Sequence, residues 1–172
     1  MSRRIYFELT GETDWTKKIN PDFGSIAALI FYANTLNISM GEKMIYACLS
    51  EASYRYEKDI PQGSYTSDNY SAHYGVNEMQ ELISFINNQL IPSLQNESQN
   101  KDMIYDVYGG KFSFIDSYYN GPEYLGYLGI NEDDIVEGYT GYIPNMLQKV
   151  LELRDFYQRV KDLNQPYEIY VE

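Results

Sequence analysis

Cys48 and His73 are the only cysteine and the only histidine of the chain. A thiol and an imidazole could in principle serve as nucleophile and general base. Their neighbours argue against it. Cys48 falls on an apolar helical stripe with Ile45, Leu49, Ala52 and Tyr56, which reads as a buried, inert thiol. His73 lies beside Tyr74 in a polar stretch, where a solvated imidazole is the ordinary reading. With one residue of each type, neither an intrachain disulfide nor a zinc site of Cys and His ligands can form within the chain. Carboxylate pairs such as Asp133 with Asp134, or Glu78 with Glu81, could act as acid and base. Acids total 25, however, so neighbouring acids are expected by abundance and read better as solvated faces. Asp116 to Glu123 is rich in oxygen ligands but lacks EF-hand spacing, leaving calcium there as a minor alternative. There is no Walker phosphate loop and no dinucleotide glycine fingerprint. The expectation is a protein that is not an enzyme and holds no cofactor or metal.

The stronger signal is the charge map. The 172 residues carry a net charge of −12 and the pI is about 4.4. Such a chain repels phosphate backbones and anionic bilayers, so direct nucleic-acid binding and membrane binding are disfavoured. The charge is uneven. Residues 65–145 hold twelve acids against two bases, a net of −10, which leaves −2 for the rest. The same segment holds 11 of the 19 tyrosines and eight of the 12 glycines. Solubility explains part of the acidity. Glu132, Asp133 and Asp134 would also favour the first turn of a helix capped by Asn131. The functional reading is a docking surface for a basic protein partner, because tyrosine brings contact area with a polar tip and little entropy loss. The residues expected to face that partner are Asp116, Tyr118, Tyr119, Glu123, Tyr124, Glu132, Asp133, Asp134 and Glu137.

These residues must be positioned by a scaffold, and hydrophobic periodicity supplies it. Arg4 to Leu9 alternates as a strand. A helix is expected from Ser25 to Leu36, stopped at Asn37. A second helix follows, with Ser39 and Glu42 as a capping box. A polar, turn-rich stretch from Asp59 to Tyr74 reads as a loop. A third helix starts at Asn77 and carries Met79, Leu82, Ile83, Ile86 and Leu90 inward until Pro92 ends or kinks it. Met103 to Tyr108 and Lys111 to Tyr118 could be strands joined at Gly109-Gly110. A short helix could follow Asn131. The last helix is marked by Met146, Val150, Leu153, Tyr157 and Val160, with Pro144 in its first turn. Tyr167 to Val171 is a terminal strand.

The architecture expected is α+β, a mostly helical single domain over residues 1–172. Its small β-sheet could join the N- and C-terminal strands. One core should collect Ile26, Leu29, Ile30, Ile45, Leu49, Ile83, Ile86, Val150 and Leu153. The two N-terminal arginines precede only a three-residue apolar run, and no run reaches transmembrane length, so a cytoplasmic protein is expected.

In its size, its pI, its single cysteine and the acidic, tyrosine-rich run from Asp116 to Tyr124 and on to Glu132-Asp133-Asp134, the chain resembles bacterial immunity proteins that neutralise contact-dependent or other polymorphic toxins. The resemblance implies one-to-one binding to a cognate toxin domain, often a basic nuclease, in the cytoplasm where the toxin acts, without catalysis. Two other classes remain open. One is a nucleic-acid mimic, as phage-encoded inhibitors of DNA-binding defence proteins are, with carboxylates at phosphate-like spacing. The other is an enzyme or small-ligand sensor, which would need a deep pocket with convergent polar groups.

Overall fold

The structure, a computed structural model, describes residues 3–49, 58, 71–121, 132–136 and 140–171. Strand β1 (Ile5–Leu9) and the C-terminal strand β3 (Tyr167–Val171) pair antiparallel, Ile5 opposite Val171 and Leu9 opposite Tyr167. A two-residue strand β2 (Ser71–Ala72) adds to the other side of β3, giving the order β1-β3-β2. The sheet therefore joins the two terminal strands. Ile5, Phe7 and Leu9 point into the core as the alternation requires, and Tyr6 stacks outward on Tyr170 at 4.9 Å. The outer edge of β1 is covered. The Phe7 amide donates to the Ile19 carbonyl (2.9 Å), the Ile19 amide donates back (3.2 Å), and the Ile5 amide reaches Pro21 (3.0 Å). An edge closed this way offers no template for another strand.

The rest is mostly helical. Helix α1 (Phe23–Leu36) is buried at every position from Phe23 to Asn34, so it is the central post of the domain. Its N-terminus is capped by Asp22, whose carboxylate accepts from the Ser25 amide at 2.8 Å. Helix α2 (Ile38–Cys48) doubles back after a single residue, Asn37. Asn37 closes α1 with its backbone amide and opens α2 with its side chain, which accepts from the Met40 amide at 3.1 Å. This displaces the expected Ser39–Glu42 capping box, because one asparagine serves both ends and Ser39 lies inside the helix. The tight hairpin needs Gly41, where an added Cβ would stand 2.7 Å from Asn34 Cα.

Helix α3 (Val76–Phe85) starts after Gly75 without a side-chain cap, one residue before the expected start. It does not stop at Pro92. A π turn, Ile86–Leu90, follows directly, and the Ile91 amide donates five residues back to Ile86. Helix α4 (Ile91–Glu97) then continues with Pro92 in its first turn. The wide turn accommodates a proline that an unbroken α-helix would reject. It also keeps Leu90 and Ile91, adjacent in sequence, both buried.

The two expected strands of the middle region are a correction. Ile104–Tyr108 is a 3-10 turn and Lys111–Tyr119 is helix α5. Gly109 and Gly110 have φ of 91° and 116°, and they break one helical segment from the next instead of turning a hairpin. Phe114 and Tyr118, four apart, are the buried face of α5. Glu132–Val136 is a short helix α6, as expected, and Ile143–Leu163 is the long helix α7 with Pro144 in its first turn. All nine residues expected in the core are buried and belong to one cluster. No described helix is long and apolar enough to cross a membrane.

Candidate functional site

The acidic segment is built on two elements docked to α1. Helix α6 is fixed from beneath. Ile135 is fully buried, and the Tyr105 hydroxyl donates to its carbonyl. Gly24 of α1 has the Asp134 carbonyl so close that an added Cβ would lie 1.7 Å from that oxygen. Only a glycine admits this approach. The Asp134 carboxylate is bound by Arg3, with Nε at 3.1 Å from Oδ1, and the same guanidinium lies 4.1 Å over the Phe23 ring. The run Glu132-Asp133-Asp134 therefore divides. Asp134 is half-buried and holds α6 down, while Glu132 and Asp133 are exposed in the first turn.

Helix α5 supplies the second part. Its inner face packs Phe114 and Tyr118 around Phe31, with ring centroids at 5.3 and 5.4 Å. Its outer face carries Phe112, Asp116 and Tyr119, at steps of four and three, so all three project from one side. Phe112 is 83 % exposed and Tyr119 52 %. Asp116 is exposed and accepts from the Asn120 amide at 3.1 Å. Burial, then the charges of Glu132, Asp134 and Asp133, raise the Tyr119 pKa. The Tyr119 hydroxyl thus sits in the field of α6, which makes the outer end of α5 and the first turn of α6 one electrostatic unit.

Of the nine residues expected to face a partner, Asp116, Tyr119, Glu132 and Asp133 are exposed at the surface. Asp134 is committed to Arg3. Tyr118 is corrected to a core residue: it is 3 % exposed, and its hydroxyl has no hydrogen-bond partner among the described residues. Helical phase is the cause, since Tyr118 lies four residues after Phe114 and turns inward with it. Glu123, Tyr124 and Glu137 lie outside the described residues. Phe112 was missed by the sequence reading. As part of a strand it would have had no reason to stand out, whereas on a helix it shares a face with Asp116 and Tyr119.

Elsewhere some acids are paired with bases, while others such as Glu42, Glu78, Asp102, Asp106 and Glu168 make no ion pair among the described residues. Lys43 meets Glu81 (2.6 Å), Lys101 meets Glu97 (2.9 Å) and Arg159 meets Glu12 (3.3 Å). Asp116, Glu132 and Asp133 make no ion pair among the described residues.

The residues weighed for catalysis are placed apart from such a face. Cys48 is fully buried and its thiol is pushed up to about 12 by burial. The Tyr157 hydroxyl donates to the Ala47 carbonyl (3.0 Å), so its oxygen is left to accept from the Cys48 thiol (3.1 Å). Tyr167 donates to the same carbonyl at 2.7 Å. A thiol kept protonated in a hydrogen-bonded core has little nucleophilic character. His73 is exposed. Among the described residues, no three His, Cys, Asp or Glu side chains converge as metal ligands. Comparison of the chain with protein-family models, with curated proteins and with solved structures gives no match.

Proposed function

We propose that the chain is a protein-binding module of the immunity type, which neutralises a basic toxin domain, such as a nuclease, by direct binding and without a reaction of its own. The observation that carries this reading is the outer face of α5 and α6. There, unneutralised acids (Asp116, Glu132 and Asp133) stand with two exposed aromatic rings, Phe112 and Tyr119. Exposed large aromatics are costly to leave in water, and interfaces are enriched in them. The acids would steer a basic partner and select against acidic ones. The rings would be the parts desolvated on docking. The close docking of α6 on α1 through Gly24 supports the reading, because a preorganised face loses less entropy on binding.

The test takes the product of the reading frame adjoining the one for this chain as the candidate toxin domain. Co-production should restore growth to cells that the domain alone poisons. Association between the purified pair should slow as salt is added. Converting Glu132 and Asp133 to lysine should slow association by roughly tenfold at low salt. Phe112→Ala should instead speed dissociation, by an amount worth about 2 kcal/mol if it is a central anchor. The reading fails if the domain does not bind, or if association is indifferent to salt and to both reversals.

A further inference from the structure

A second feature uses none of the acidic face. Between the C-terminal end of α1 and the helix that passes through the π turn lies an open groove of about 460 Å³. Tyr32 and Leu36, one turn apart on α1, form one wall. The other wall is a double stripe at steps of four. Asn88, Pro92 and Asn96 form one row, and Gln89, Ser93 and Glu97 the other. The volume falls within the roughly 300–1,000 Å³ range of small-ligand sites.

The π turn supplies two of the lining residues. Asn88 and Gln89 belong to that turn and both are exposed. Pro92 has no amide hydrogen, so the ordinary α-helical donor to the Asn88 carbonyl does not exist. Wide turns of this kind recur where a helix serves a function. Burial, and then the Glu97 charge, pushes the Tyr32 hydroxyl up to about 12. It stays a neutral group at any physiological pH. The Glu97 carboxylate is paired with Lys101 at 2.9 Å.

The lining defines the chemistry of an occupant. It contains no cation to hold an anion, and its one carboxylate is paired with Lys101, so a neutral ligand suits it best. Three primary amides and a serine hydroxyl offer donors and acceptors side by side. Leu36 and Pro92 offer an apolar strip along the same groove, with the buried Tyr32 behind them. Closely spaced polar groups beside an apolar strip match a molecule with vicinal hydroxyls on its rim and C–H groups on its face.

We propose that the groove between α1 and the π-turn helix binds a neutral polyhydroxylic ligand of the size of one or two sugar rings. Asn88, Gln89 and Asn96 bind its hydroxyls, and Leu36 and Pro92 contact its apolar face. The site rests on elements other than α5 and α6, so it stands or falls independently of the docking face.

The test is an NMR titration of the isotopically labelled full chain with maltose, cellobiose and glycerol, reading the side-chain amides of Asn88, Gln89 and Asn96. The expected result is saturable shifts at these amides with at least one of the two disaccharides, with a dissociation constant of about 1 mM or tighter. Asn88→Ala and Asn96→Ala, both at exposed positions and each leaving the rest of the spectrum unchanged, should weaken that binding by roughly tenfold. Absence of saturable shifts with either disaccharide overturns the proposal. So do shifts that persist undiminished in both variants, or a stronger response to a short neutral peptide, which would make the groove a peptide site.

Discussion

Two groups of tyrosines in this domain use the same side chain for opposite ends. Beneath the sheet, Tyr157 and Tyr167 are fully buried, and both hydroxyls donate to the Ala47 carbonyl. Around α5, Tyr118 is buried without a partner for its hydroxyl among the described residues, and Tyr119 stands half in solvent among acids. The first group is a closed polar network inside the core, which strengthens a fold when every member is satisfied. The second is incomplete on the inside and charged on the outside. Tyrosine abundance alone therefore says nothing about binding. What separates the groups is whether each hydroxyl is satisfied and whether the neighbouring charge is neutralised.

The largest effect that would break this comparison lies beneath α6. Gly24→Ala would drive a methyl group into the Asp134 carbonyl, where no flexible side chain can give way. Overpacking of this kind costs about 1–3 kcal/mol and shifts backbone. We expect the upper end of that range in chemical denaturation. The acidic face should be displaced while the sheet keeps its amide-exchange protection. If the variant is as stable as the parent, α6 is not docked in this way, and the second tyrosine group loses its rigid setting.

A smaller effect contrasts the two groups directly. Tyr157→Phe removes a donor from Ala47 and the acceptor of the Cys48 thiol, and should cost about 1–2 kcal/mol. Tyr118→Phe removes a hydroxyl that is desolvated without return. Its expected effect is neutral or stabilising, by up to about 1 kcal/mol. Equal losses in the two variants, measured by denaturant midpoints, would show that Tyr118 has a partner in solution and that the groups are alike. Cys48→Ser places its hydroxyl beside the Tyr157 oxygen, so the penalty for a buried, unpartnered hydroxyl does not apply.

The sequence makes the first group legible and the second only in part. The strands Ile5–Leu9 and Tyr167–Val171 and the long helix Ile143–Leu163 have strong periods, and burial follows them residue by residue. Around Ile104 to Tyr119 the period is ambiguous. Aromatic and β-branched residues favour strands, yet the inward pair Phe114 and Tyr118 has helical spacing and packs on Phe31. Tertiary packing decides between the two, and with the wrong choice Tyr118 is placed at the surface and Phe112 goes unnoticed. The pairing of Arg3 with Asp134 spans 131 positions, and no local pattern could announce it. The groove beside the π turn is equally hidden, because Pro92 reads from sequence as an end or a kink of the helix and does not announce a wide turn before it.

The smallest effect decides what the acids of α6 are for. Acids in a first turn stabilise the helix dipole, typically by 0.3–1 kcal/mol, so Glu132 and Asp133 have a structural reading beside the functional one. The two readings differ in how the three adjacent acids should rank. If the run served only the dipole, neutralising any of the three would cost similar small amounts. The geometry separates them. Asp134 is bound by Arg3 and lies over the α1 terminus, so Asp134→Asn should cost about 1 kcal/mol and loosen the N-terminal segment. Glu132 and Asp133 touch no base and stand near each other and Tyr119, where their mutual repulsion offsets the dipole term. Glu132→Gln and Asp133→Asn should therefore change stability by less than about 0.5 kcal/mol. Denaturation of the three single variants at low salt tests the ranking. Equal costs at all three positions would assign the run to the helix itself and remove these acids from the docking face. A loss confined to Asp134 would leave Glu132 and Asp133 without a structural task, which is the condition the docking reading requires.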